Sequence, residues 1–216
     1  MMPLQISCHP PFLVVDLGAP HRVLSWSLNR PGFVTARSIA WLQVKEDDLA
    51  DADPAALIEG KMAAAGHGGA VGLMTSRDIR KHHRGEAVEG DVSADCVATV
   101  GLANAGRVGQ PRAMHRAGTI NFAIRVSRPM KPQGLIEALA IAVEARTAAI
   151  LDLGWRVDGV AVTGTGTDCV AVAAPDLPDG DIYAGQHTPV GAAVGRAVYD
   201  AVRKGAGEWI AERRGA

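Results

Sequence analysis

What this 216-residue chain has in short supply narrows its reading first. It carries three cysteines, Cys8, Cys96 and Cys169, an odd number with no CxxC pair, so neither a disulfide framework nor a cysteine zinc site is indicated and a reducing cytoplasm fits best. Aromatic residues make up 4%, with Trp26, Trp41, Trp155 and Trp209 widely spread, which leaves no stacking platform for nucleobases. Formal charge is −1 and the pI about 6.6, so no basic field favours nucleic acid or an anionic membrane. No run of about eighteen apolar residues occurs, and Met1 to Ile6 lacks the basic segment and apolar core of a secretion signal. The nucleotide-binding patterns GxxxxGK[ST] and GxGxxG after a first strand, the zinc pattern HExxH and the nucleophile elbow GxSxG are also missing. With 48% hydrophobic and 21% charged residues, the chain reads as one globular domain over 1–216 with a sizeable core.

What is present is concentrated between Val160 and Asp200. An apolar run leads into the turn Thr163-Gly164-Thr165-Gly166-Thr167-Asp168, and a second apolar run, Cys169 to Ala174, follows. Glycines alternating with hydroxyl residues let backbone N–H groups come close to a polar ligand. Asp168 then stands at the mouth of a buried strand, a place for an acid, a base or an anchor, with an Asx-type turn as the plain structural alternative. Thr188-Pro189 has the form of an N-cap followed by proline, and Val190, Val194, Ala197, Val198, Ala201 and Val202 recur at helical spacing, predicting a helix from Pro189 to Lys204. His187 precedes the cap and is of a type that titrates near neutrality, although a lone histidine is commonly a structural donor.

Along the rest of the chain the pattern predicts strands at Phe12–Asp16, Arg22–Leu28, Ser38–Val44, Ala70–Thr75, Cys96–Leu102, Thr119–Val126, Val160–Val162 and Cys169–Ala173. Helices are predicted at Pro54–Ala65 and Gln133–Asp152, the latter stopped by Gly154. The mixture argues an α+β fold, a layered sandwich of mixed or largely antiparallel sheet covered by long helices, with an αββα order as one form of it. The Gly85 to Gly90 stretch reads as a mobile lid. The basic cluster Arg77 to Arg84 reads as a solvated turn able to meet an anionic group, and Ser76 as the N-cap of a helix beginning near Arg77.

The run Thr163 to Asp168, the segment Tyr183-Ala184-Gly185 with His187-Thr188, and Gly195-Arg196-Ala197-Val198-Tyr199 together resemble the C-terminal part of the adenosylcobinamide amidohydrolases, the CbiZ family. Ala98 to Ala105 is similar to that family's central strand and turn, Gly118-Thr119-Ile120-Asn121 to its next strand entry, and Glu144-Ala145-Arg146 to the middle of its long helix. The likeness runs from Val71 to Val202 and departs at Cys169, where the family has a small apolar residue, so Cys169 is a poor candidate nucleophile. The resemblance implies hydrolysis of the amide between the corrin ring's propionyl side chain and (R)-1-amino-2-propanol, in corrinoid salvage for coenzyme B12.

Amide hydrolysis needs an activated water or nucleophile, donors for an oxyanion, and an acid for the leaving amine. Asp168 or Glu144 is the candidate base and His187 the candidate acid, with Asn121 and the Thr165–Thr167 turn as oxyanion donors. Asn104, Thr119, Asn121, Thr165, Thr167, Thr188 and Arg196 are the candidate substrate-binding residues. Glu144 has a bland alternative as part of an exposed polar helix face with Glu137 and Arg146. No cofactor is called for beyond the cobalt of the substrate. A zinc held by some of His67, His82, His83, His115 and His187 is the weaker reading, because adjacent His82 and His83 cannot share a helical face. A non-catalytic corrinoid- or phospholigand-binding protein is the alternative outside the enzyme class. Self-association is left open.

Overall fold

The computed structural model describes residues 4–49, 52–110 and 117–215. The elements run β1 (Gln5–His9), β2 (Phe12–Ser25), β3 (Gly32–Gln43), α1 (Pro54–Ala64), β4 (Val71–Thr75), β5 (His82–Glu89), β6 (Val92–Val100), β7 (Ala105–Gly106), β8 (Ile120–Val126), α2 (Pro132–Asp152), β9 (Arg156–Val157), β10 (Val160–Ala161), β11 (Gly164–Thr165), β12 (Cys169–Pro175) and α3 (Pro189–Arg214). Eight strands form one mixed sheet in the order β4-β3-β2-β12-β8-β6-β5, with β1 on β2, and two short ribbons pair β10 with β9 and β11 with β7. The α+β expectation is therefore correct.

The sheet doubles over along β2 and β3. The predicted strands at Phe12–Asp16 and Arg22–Leu28 are one bent strand, whose pairing with β3 shifts register between Asp16 and His21, with Gly18 at a φ of 79° in the bend. The first half of β2 pairs with β1 and the second half with β12. As a result Ile39, Trp41, Val71 and Leu73 share a core with Val97, Ala123, Ala171 and Ala173, although β3 and β4 lie three or more strands from β6 in the sheet. Period-two alternation sends the other face of each layer to helices. Helices α2 and α3 cover Cys96, Ala98, Phe122, Ile124 and Val172, while α1 covers Ala40 and Leu42 through Ile58 and Met62. This is the αββα order, built from a single folded sheet.

Helix α3 explains several departures from the sequence reading. It runs ten residues past Lys204 because Gly205 is a contact residue rather than a stop: an added Cβ would lie 2.8 Å from Val100 Cγ2 and 3.1 Å from His83 Cδ2. Gly85 is not part of a lid. It lies within β5, opposite Cys96 of β6, and a Cβ there would collide with the Ala197 carbonyl of α3. Gly90, at a φ of 58°, is in the tight β5–β6 turn. Loss of side chains on both surfaces lets helix and sheet approach closely enough for dispersion to act.

The basic cluster is only partly solvated: the Arg80 side chain is 72% exposed, but its neighbours are drawn into ion pairs. Arg77 Nη1 lies 2.6 Å from Glu212, Lys81 Nζ 2.6 Å from the same carboxylate, and His83 Nε2 2.9 Å from Glu208, all toward the end of α3. Ser76 caps no helix. Asp78 caps a single 3-10 turn, Ile79–Lys81, and Thr75 Oγ1 accepts the Arg77 N–H at 3.1 Å. Among the described residues, no helix is long and apolar enough to cross a membrane.

Candidate functional site

Strands β8 and β12 lie side by side and parallel, so Gly118–Asn121 and Thr165–Cys169 enter the sheet together, Asn121 opposite Cys169. The same row continues to Thr99 of β6 and His82 of β5. These four side chains share the inner face, between the layers, because their neighbours Ala98, Ile120, Phe122 and Val170 belong to the helix-covered core. A polar row thus closes one end of the sandwich, and the next row inward, Val97, Ala123 and Ala171, is apolar.

Asn121 is fully buried and ties that row together. Its Oδ1 accepts the Cys169 N–H at 3.1 Å and the Thr119 hydroxyl at 2.9 Å, and its Nδ2 donates across the layers to the Met74 carbonyl. The same Thr119 hydroxyl hydrogen is shared with the Thr167 carbonyl at 2.8 Å, and Thr167 Oγ1 donates to the Gly118 carbonyl at 2.9 Å. Thr119, Asn121 and Thr167 therefore lock the two strand entries to each other. Gly118 is required by close passage, since a Cβ would stand 2.7 Å from the Asn104 nitrogen.

Asp168 is held on every side. Its Oδ1 accepts the Ile120 N–H at 2.9 Å and the Thr165 hydroxyl, while Oδ2 accepts the Thr165 N–H at 3.1 Å and pairs with Arg146 Nη1. The guanidinium reaches it from α2 across Gly164, where a Cβ would collide with it. The two side chains are 13% and 7% exposed, so this charge pair is nearly removed from water, and burial pulls the Arg146 pKa below its ordinary value. Outside the cradle, the Trp26 indole donates to the Asp168 carbonyl at 2.8 Å. Asn104 lies beside the turn, its Nδ2 3.5 Å from where a Cβ on Gly166 would be.

The remaining sequence candidates gather elsewhere, around the start of α3. Thr188 is its N-cap, accepting the Gly191 N–H at 3.0 Å and donating to the Gly185 carbonyl at 2.8 Å. Glu144 is exposed and accepts from Gln186 Nε2 at 3.1 Å, which places it near the exposed His187. Arg196 points into solvent and pairs with Asp200 one turn along α3. The chain thus brings Asn104, Thr119, Asn121, Thr165, Thr167 and Asp168 together, whereas Glu144 is tied through Gln186 to the segment that carries His187 and Thr188, and Arg146 on the same helix reaches Asp168.

Arg146 is the residue that sequence reasoning underrated. Grouping it with Glu144 and Glu137 as a polar face fails on helical spacing: Arg146 is four residues after buried Ala142 and three before buried Ala149, hence on the buried stripe. A lone cation there needs a partner. Glu137 is not a free surface group either, as it accepts the Ala184 N–H at 2.7 Å.

Cys169, whose thiol burial pushes up to about 11, is protonated at neutral pH and unsuited to attack. Among the described residues no three His, Cys, Asp or Glu side chains converge as metal ligands, and His115 falls outside those residues. Two surface cavities, of about 470 and 280 Å³, open against Gln5, Val14 and Arg37 and against Pro11, Leu42 and Lys61, away from the Asp168 turn.

Residues 2–214 match the family model for CbiZ, adenosylcobinamide amidohydrolase. The chain belongs to that family. It is accordingly a hydrolase acting on amide bonds, and the match spans both groups of polar residues. Two solved structures resemble this CbiZ-family chain at low identity. A Burkholderia sp. beta-aminopeptidase aligns over 90% of this chain and 78% of its own at 12% identity, with a TM-score of 0.45. The PH0078 protein from Pyrococcus horikoshii OT3 aligns over 90% and 76% at 11% identity, with a TM-score of 0.46. Likenesses of that degree add nothing to the assignment. No curated protein matches the chain significantly.

Proposed function

We propose that this protein hydrolyses adenosylcobinamide at the amide between the corrin ring's propionyl side chain and (R)-1-amino-2-propanol, releasing adenosylcobyric acid for coenzyme B12 salvage. The family match over residues 2–214 carries the reading.

In this reading the labour is divided between residues. Asp168 has its oxygens taken up by Arg146, Ile120 and Thr165, so it acts by holding the 163–168 turn in place rather than by accepting a proton from water. Glu144, exposed and bonded among the described residues to the Gln186 amide, is the better base, and His187, next to Gln186 in the chain, is the acid for the leaving amine. The backbone of the exposed Gly166 is the candidate oxyanion donor, whereas Asn121, fully buried and bonded to Cys169, Thr119 and Met74, holds the strand entries behind it. Asn104 and Thr165 stand beside the strand mouth and Thr119 is buried behind it, whereas Thr188 and Arg196 lie apart on α3.

The test is incubation of the purified protein with adenosylcobinamide, followed by mass spectrometry. Stoichiometric appearance of adenosylcobyric acid and free aminopropanol is expected. Ligand that stays intact while remaining tightly held overturns hydrolysis in favour of a corrinoid carrier.

A further inference from the structure

Eleven large apolar side chains are exposed among the described residues, and their distribution is uneven. Four of them, Trp26, Leu28, Val108 and Val160, sit on or next to segments bonded to the 163–168 turn or leading into it, and a fifth, Phe33, lies on the strand beside β2. Trp26 is 45% exposed, yet its indole is fixed by the bond to the Asp168 carbonyl. Leu28 lies in the connection that follows it, and Phe33 of β3 stands opposite Leu24 of β2, where the connection returns. On the other flank, the Val108 N–H donates to Thr163 Oγ1 at 2.8 Å, Arg107 donates to the Ala161 carbonyl at 3.2 Å, and Val160 begins β10. Exposure on this scale beside a polar mouth marks a surface that meets something apolar.

Resting on the proposed substrate, we infer that these five side chains form the platform on which the corrin macrocycle lies while its propionamide arm enters the Asp168 turn. The fit is chemical. A corrin is broad and flat, with an apolar methylated face and a rim of amides. A platform interrupted by Asn104 and by the exposed Gly166 and Thr167 offers that ligand both apolar area and amide partners. Fixing Trp26 in advance lowers the ordering cost of binding. The platform sets affinity for the ring and takes no part in the chemistry, so its loss raises KM and spares kcat.

The experiment compares wild type with the double variant Leu28→Ser, Phe33→Ser and with Val108→Ser, all at exposed positions, with folding confirmed by circular dichroism. KM for adenosylcobinamide is expected to rise about tenfold or more in the double variant, with kcat within about twofold. Quenching of tryptophan fluorescence by cobinamide gives a readout that needs no turnover, and Trp26→Phe should remove much of its amplitude. Turnover by wild type with KM unchanged in the variants overturns the platform and leaves the hydrolase standing. Wild type that binds without cleaving, and loses that binding in the variants, keeps the platform while hydrolysis falls. Wild type that neither cleaves nor is quenched overturns both. Variants that alter self-association by sedimentation, but not KM, show a self-contact surface and overturn the platform.

Discussion

Replacing Arg146 with methionine tests the anchoring of the 163–168 turn. The substitution keeps the length of the side chain and its place on the buried stripe of α2 but removes the charge facing Asp168. At a separation of about 3.5 Å and an effective dielectric of about 20, a unit charge pair is worth about 5 kcal/mol of Coulomb attraction. Relief of the desolvated guanidinium returns part of that, while the carboxylate keeps donors from Ile120 and Thr165. Breaking buried pairs costs about 3–5 kcal/mol. The donors that Asp168 keeps put the expected loss near the lower bound, about 3 kcal/mol. Urea unfolding at pH 7, followed by circular dichroism, should show the midpoint falling by about 1–2 M at unchanged slope. Asp168→Asn should cost a similar amount, and the double variant should cost about 2 kcal/mol less than the sum of the two. Turnover should fall by similar factors in both single variants, because each releases the same turn. An Arg146→Met protein within about 0.5 kcal/mol of wild type refutes the anchoring. A folded, active Arg146→Met protein beside a folded, inactive Asp168→Asn protein restores Asp168 as the base.

The glycines of α3 give an opposed pair: Gly205→Ala should destabilise because its Cβ meets Val100, whereas Gly207→Ala, with nothing within 4 Å, should gain about 0.5–1 kcal/mol in thermal or urea unfolding. The Glu212 carboxyl is drawn from 4.5 down to about 2 by Arg77 and Lys81, so its contribution is present above about pH 4.5 and is lost as pH falls toward 2; Glu212→Gln should flatten acid unfolding in that window. Cys169→Ala should retain turnover within about twofold, since the thiol is protonated at neutral pH; a folded but dead variant would restore a thiol nucleophile. Thr99 is fully buried, and its hydroxyl meets no partner among the described residues, so Thr99→Val should raise the unfolding midpoint, consistent with about 1 kcal/mol.

Much of the scaffold was legible because local chemistry and tertiary demand agree. Asp53 and Thr188 cap α1 and α3 ahead of proline, Gly154 ends α2 at a φ of 65°, and the alternation in β8 and β12 marks their buried faces. The strand-mouth polar residues were legible as types, and their grouping follows from the parallel pairing of β8 and β12, which periodicity does not encode. What stayed hidden depends on long-range neighbours. The charged and glycine-bearing β5 and the turn before it look like a loop because His83 meets Glu208, and Arg77 and Lys81 meet Glu212, more than 120 residues later. The extension of α3 was masked by Gly205, whose helix penalty is outweighed by contact with β6. Arg146 was readable from its phase on α2, but its partner was not, since a helix stripe says that a charge is buried and not what meets it.

Strand β12 sits between β2 and β8, and pairs His21–Ser25 with residues from Pro175 back to Ala171. A ribosome delivers β2 early and β12 only after some hundred and fifty further residues. Until then the second half of β2 has an open side, and β8 has paired with β6 alone. Synthesis therefore holds two unfinished pieces of sheet apart, each with a free row of amides and carbonyls, and the last strand joins them by filling the gap. Such a closing step depends on distant residues and favours slow folding, with a window in which nascent chains can pair with each other in place of β12.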